Sequence, residues 1–182
     1  MLLVDPFDGV AVPKELVVEF FAVFARCEPA MKESGYKRDD NGIAAPAWRR
    51  LADDAAAWLD APADGEVARA IALLTGDPAK VHFFANGWQV SPLRGANAIA
   101  QAINAATRVR HNLFHGGKHS PEVERGRDQR LVLAALTLLL AVVEQGPSDL
   151  RSAYNHRYMG IVPDQEEVTQ FGQPQRPRPR QP

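Results

Sequence analysis

The chain has 182 residues, 46% of them hydrophobic and 24% charged, which is apolar material for one core and little left for a second. Its 21 Lys and Arg stand against 22 Asp and Glu for a formal charge of -1, so a globally basic nucleic-acid or membrane surface is excluded and any polyanion site must be local. The single cysteine, Cys27, rules out an internal disulfide and a CxxC metal or redox site, and points to a reducing compartment, the cytoplasm by default.

Helix signals dominate in chain order. Met1 to Pro13 lacks the basic and apolar runs of a secretion signal. Pro13 opens a first helix with a stripe at Leu16, Phe20, Val23, Cys27 and Met31, kinked or shortened by Pro29 and ended by Gly35. Pro46 sits in the first turn of a second helix, where Trp48, Leu51, Ala55 and Trp58 recur at helical spacing until Pro62. Asp64 caps a short third helix through Val67, Ile71 and Leu74, stopped by Gly76 and Pro78. Between Val81 and Val90, Asn86-Gly87 flanked by apolar residues predicts a hairpin-like loop.

Ser91-Pro92 starts a long helix that runs to about Phe114, before Gly116-Gly117, with Ala96, Ile99, Ile103 and Ala106 on its buried face. Arg127 to Glu144 is apolar nearly all round, the mark of a central or shared helix. Its longest apolar run, Leu131 to Val143, falls short of the roughly 20 residues that cross a bilayer, so no membrane partner is expected. Ser148 caps a last short helix through Tyr154 and Tyr158. The reading is an all-α bundle of five or six helices over residues 1–162, followed by a disordered Pro- and Arg-rich tail at 163–182.

Three of the five histidines, His111, His115 and His119, fall within nine residues. From 108 to 130, Arg108, Arg110, Lys118, Arg125, Arg127 and Arg130 face only Glu122, Glu124 and Asp128, a basic patch hidden by the neutral average. Arg110 lies seven positions after Ile103 and eleven after Ile99, on nearly the same helical face as the apolar stripe. Its guanidinium must therefore snorkel, meet a carboxylate or hold an anion such as phosphate. His115 is five positions further, about 140° around an ideal helix, and stands before two glycines that allow the chain to unwind and re-aim it. Histidine near a helix C-terminus also has a plain use in capping carbonyls.

Arg110-His111-Asn112-Leu113-Phe114-His115, late in one long helix and followed by another, resembles the motif of the HEPN superfamily of small helical ribonucleases, toxins and nucleotide-binding domains. The resemblance spans roughly Pro13 to Glu144 in architecture and Arg110 to Gly117 in residues. It implies a metal-independent endoribonuclease of toxin or defence type, without a cofactor, in which the RNA 2′-hydroxyl attacks the adjacent phosphate and leaves a 2′,3′-cyclic phosphate. Under it His115 is the acid/base and Arg110 the phosphate clamp, with His111 or Asn112 as a supporting hydrogen-bonding group. Arg108, Lys118, His119, Arg125 and Arg127 are candidate RNA phosphate ligands. The partners implied are RNA, a second copy in a homodimer that brings Arg110 and His115 together, and an antitoxin or nucleotidyltransferase. Gly117 stands where toxins modified by such a transferase carry Tyr, two residues after the motif His.

Two other readings compete. An HEPN-like module could bind RNA, a nucleotide or a protein without cutting. His111, His115 and His119 could instead ligate a metal, though Asn112 follows His111 where an HExxH site has Glu, and Gly116-Gly117 interrupts the helix. Trp48 and Trp58 read as core or interface anchors, Cys27 as a small buried hydrophobe, and His82 and His156 as structural.

Overall fold

Pro13 has no N–H to offer and stands as N-cap of α1 (Lys14–Glu33). The computed structural model describes residues 7, 10, 12–83, 85, 87–115 and 122–156, with the side chains of 114–115 and 122–125 outside the description. The predicted stripe of α1 is inward: Phe20, Val23, Cys27 and Met31 are buried and Leu16 packs at the core's edge. Pro29 does not shorten the helix, which continues to Glu33. Proline costs an interior hydrogen bond, here the one to the Ala25 carbonyl, and burial of Ala30 and Met31 just beyond it offsets the loss. Gly35, at φ 89°, then turns the chain.

A hairpin follows that the sequence pattern does not signal. β1 (Lys37–Asp40) pairs antiparallel with β2 (Ile43–Pro46), Lys37 opposite Pro46 and Asp40 opposite Ile43. Its turn is Asn41-Gly42, both at positive φ (56° and 84°), and Asp39 accepts the Gly42 N–H at 2.6 Å. Such a turn matches strand twist, but Lys37–Asp40 is charged throughout and Ile43–Pro46 apolar throughout, so neither flank has the alternation by which a hairpin is recognised. Pro46 therefore ends a strand instead of opening a helix. At the edge of a two-stranded ladder its missing N–H costs nothing.

α2 (Trp48–Ala55) is shorter than predicted, ending in a turn at Ala55 in place of running toward Pro62. α3 (Glu66–Gly76) has Gly65, not Asp64, at its N-cap; the Asp64 carbonyl instead accepts a hydrogen bond from Arg69. The expected hairpin is present as β3 (Val81–Phe83) against β4 (Gly87–Gln89), with His82 opposite Trp88. Among the described residues there are two two-stranded ladders and no larger sheet, so the fold is predominantly helical.

α4 (Ala98–His115) begins six residues later than Ser91-Pro92 suggests, because Asn97 is the working cap: its Oδ1 accepts the Ala100 N–H at 2.9 Å. Ala96 is consequently outside the helix and exposed, while Ile103 and Ala106 are fully buried. α5 (Glu122–Gln145) starts earlier than its apolar pattern, through the polar turn of Glu122, Glu124 and Arg125, residue types that suit a helix without adding periodicity. It is the central helix, packing on α1, α3, α4 and α6 (Ser148–Asn155), with Leu131, Leu138 and Leu139 almost wholly enclosed. Leu133 and Leu140, seven apart, remain 44% and 37% exposed. Pro147, not Ser148, is the N-cap of α6. No single described helix is long and apolar enough to cross a membrane. The 163–182 tail and Tyr158 lie outside the described residues.

Candidate functional site

The last two turns of α4 carry the basic motif, and their alternate residues are fastened to different neighbours. Arg108 donates from Nη1 to the Ser91 carbonyl at 2.7 Å and from Nη2 to the Pro92 carbonyl. Burial, then the like charge of Arg94, holds its pKa below the ordinary arginine value. One turn on, Asn112 donates from Nδ2 to the Lys80 carbonyl at 2.6 Å. Both side chains thus tie α4 to the residues that flank the β3–β4 hairpin, Lys80 before it and Ser91-Pro92 after it.

Arg110, between them, points elsewhere. Its guanidinium carbon stands 5.3 Å from the centroid of the Phe24 ring of α1, and Phe24 in turn leans on Trp48 of α2, ring centroids 4.7 Å apart at 36°. The predicted phase is correct in direction: Arg110 is on the packed side and half-buried, laid over an aromatic face where the cation is attracted to the ring and its planar fork is held. It borders a cleft of about 410 Å³ whose walls also include Glu28, Arg38, Trp48, Thr107 and His111. His111 is itself exposed. Four cationic or titratable nitrogenous side chains, Arg38, Arg108, Arg110 and His111, therefore meet around this cleft with Glu28 as the carboxylate among its described lining.

A second recess of about 200 Å³ adjoins it along α4, lined among others by Arg49, Asp53, Arg94, Gly95 and Asn104. Trp48 and Thr107 border both. Sequence reasoning found Arg110 and His111 through their spacing. It missed Arg38, Glu28 and the position of Trp48 over the cleft, because these come from α1, β1 and α2, and nothing in their local pattern marks them as facing α4.

The other motif candidates sort as follows. α4 remains helical through His115, so that residue is not re-aimed by unwinding within the helix; its side chain, those of Arg125 and the two glutamates of the α5 start, and all of Gly116, Gly117, Lys118 and His119 lie outside the description. The His111, His115, His119 metal reading falls partly there, and among the described residues no three His, Cys, Asp or Glu side chains gather as a metal site would require. No family model, curated protein or solved structure matches the chain.

Arg127 has a role inside the fold. From α5 its Nε and Nη2 reach the two carboxylate oxygens of Asp77 at 2.7 and 2.9 Å, and Nη2 also donates to the Pro78 carbonyl at 2.9 Å. This bidentate bond closes the end of α3 against α5 and is the leading cause of a lowered Asp77 pKa. The sign follows: a carboxylate easier to ionise in the folded chain adds stability above its unfolded pKa near 3.8, and loses it as the pH falls through the lower folded value. Asp77→Asn should therefore flatten the acid limb of a stability-versus-pH curve below about pH 4. An unchanged limb would mean that this pair, exposed on the Asp77 side, is screened out. Cys27 is 2% exposed, and burial, then Glu28, pushes its thiol up to about 12, which makes it a buried hydrophobe and no nucleophile. His82 stacks on Trp88 at 4.8 Å within the hairpin.

Proposed function

We propose that this protein is a metal-independent endoribonuclease of the HEPN type. The observation that carries the reading is the seat of Arg110: one arginine of the Arg110–His115 motif rests on an aromatic face at the wall of an open cleft that Arg38 and His111 also border. A guanidinium held this way presents a planar fork to the nonbridging oxygens of a phosphodiester, where charge grows as the phosphorane forms. In the proposed reaction His115 takes the proton of the 2′-hydroxyl as its oxygen bonds to phosphorus, and returns a proton to the 5′-oxygen as the P–O5′ bond breaks. The products are a 2′,3′-cyclic phosphate and a free 5′-hydroxyl. The test is cleavage of labelled RNA by the purified chain in excess chelator, with DNA of the same sequence as the inert control; no cleavage of RNA leaves the non-cutting binding module in its place.

The same reading calls for two chains. With α4 helical to His115, positions 110 and 115 stand about 140° apart around the axis and about 7.5 Å along it. A second copy related by a two-fold axis lets Arg110 of one chain and His115 of the other face a single phosphate. Sedimentation at micromolar concentration should give a dimer, and cross-linking from introduced cysteines near residue 111 should capture it. A species of one-chain mass throughout that range would overturn the arrangement.

A further inference from the structure

The recess between α2 and α4 is built unlike the cleft beside it. Its floor is Ala52, Ala100 and Ile103, each buried and apolar, with Ile103 wholly enclosed. Its polar lining consists almost entirely of donors. Arg49 comes from α2 and Arg94 from the segment before α4, both exposed. Asn104, on α4, accepts the Arg94 N–H on Oδ1 at 3.0 Å, which fixes the amide and leaves Nδ2 as a donor with no hydrogen bond among the described residues. Thr107 has spent its hydroxyl proton on the Asn104 carbonyl at 2.8 Å. Asp53, the carboxylate among the described lining, reaches Arg49 only at 3.9 Å, with the Arg49 side chain 93% exposed. Two guanidinium groups against one carboxylate leave a single positive charge over an apolar floor. Arg94 also acts at a distance: after burial, its like charge lowers the pKa of Arg108, one turn along α4 from Asn104.

We propose that this recess binds a small organic monocarboxylate, its apolar body on the floor of Ala52, Ala100 and Ile103 and its carboxylate on Arg94, Arg49 and Asn104 Nδ2. A cavity of about 150 Å³ takes benzene, so the recess, at about 200 Å³, has room for a six-membered ring bearing a carboxylate. The guanidinium fork matches two carboxylate oxygens, and the single charge of the ligand equals that of the rim. A phosphate dianion would exceed it, with Asp53 close by. Bound there, the anion joins α2 to the segment before α4. It also offsets the repulsion between Arg94 and Arg108, whose guanidinium holds the Ser91 and Pro92 carbonyls. The site stands apart from Arg110 and does not depend on the ribonuclease reading.

Benzoate is the probe, titrated into the isotope-labelled full chain at neutral pH while backbone amide shifts are followed. It should bind saturably with a Kd on the order of 1 mM, as a ligand this small with a solvent-facing head does. The shifted amides should gather at Ala52, Asp53, Arg94, Gly95 and Asn104. Benzamide, the neutral isostere, and acetate, the head without the ring, should each bind about tenfold more weakly or worse. Arg94→Ala should weaken benzoate about tenfold or more, and Ala52→Leu, which fills the floor, should abolish the shifts with both arginines in place. Arg94 is exposed, so its loss leaves the helical circular dichroism unchanged. If Ala52→Leu unfolds the chain, Arg94→Ala and benzamide decide. No saturable shift up to roughly 20 mM benzoate, equal binding of benzamide, wild-type binding in Arg94→Ala, or shifts confined to residues 108–112 at the cleft would overturn the proposal. Benzoate binding by a chain that does not cleave RNA leaves the recess standing and removes the ribonuclease reading. RNA cleavage without a benzoate site does the reverse.

Discussion

His115→Ala is expected to lower chelator-resistant RNA cleavage by about 10²-fold or more, with secondary structure and dimerisation intact. The size follows from what a positioned acid/base contributes to proton transfer in the transition state. Arg110→Lys is expected to fail as well, for a different reason. An ammonium keeps the charge but loses the two-pronged geometry, and it packs less well over the Phe24 ring than a planar guanidinium does. The two variants should therefore separate by substrate affinity: Arg110→Lys weakens phosphate binding and turnover together, whereas His115→Ala binds RNA as before and turns it over slowly. Equal cleavage by wild type and His115→Ala would assign the activity to a contaminant or to another site.

Gly95→Ala should be the most damaging single methyl in the 91–97 segment. Gly95 has φ 141°, where an L side chain is strained, and a Cβ there would come within 2.6 Å of the Gln101 backbone nitrogen and 2.7 Å of Ala100 Cβ. Those are atoms of the first turn of α4, which cannot move aside by changing a rotamer. Strain and overpacking together should cost about 2–4 kcal/mol, a fall in the melting midpoint of about 5–15 °C for a chain of this size. Gly76→Ala is the control, since nothing lies within 4 Å of its added methyl and its φ is ordinary. Chemical denaturation of the two side by side checks the claim, and a Gly95→Ala loss below about 0.5 kcal/mol would contradict the close approach on which it is based.

Much of the helical architecture was legible because burial leaves a period in the sequence. Phe20, Val23, Cys27 and Met31 mark α1, Ile71 and Leu74 mark α3, and the apolar run from Leu131 to Val143, broken only by Thr137, marks α5 as the central helix. What stayed hidden were features set by hydrogen bonds and by sharp turns. Nothing distinguishes Asn97 from Ser91 as a cap until the loop between them is seen to carry Gly95 against the helix. The Asn41-Gly42 hairpin is signalled by its turn pair alone, because one strand is all charged and the other all apolar, with no alternation to detect. At the site, spacing along α4 identified Arg110 and its inward phase. The resemblance gave Arg108, Asn112 and Arg127 to RNA or its support, and in the fold donors of all three serve carbonyls and a carboxylate of the chain itself. A sequence displays which residues can donate; only tertiary contact displays to whom.

Arg108 and Asn112 grip the 80–92 segment from one flank of α4, while Arg110 lies against Phe24 on another. A helix pinned on two flanks resists rolling about its own axis, because any torque that lifts one set of contacts compresses the other. Its arginine is then aimed before a ligand arrives, and in the reaction proposed above little reorganisation remains to be done when charge appears on the phosphate. Truncating Asn112 would act as a loosened bearing: the damage would be felt as wobble at Arg110, on the other flank of the helix from the carbonyl that lost its donor.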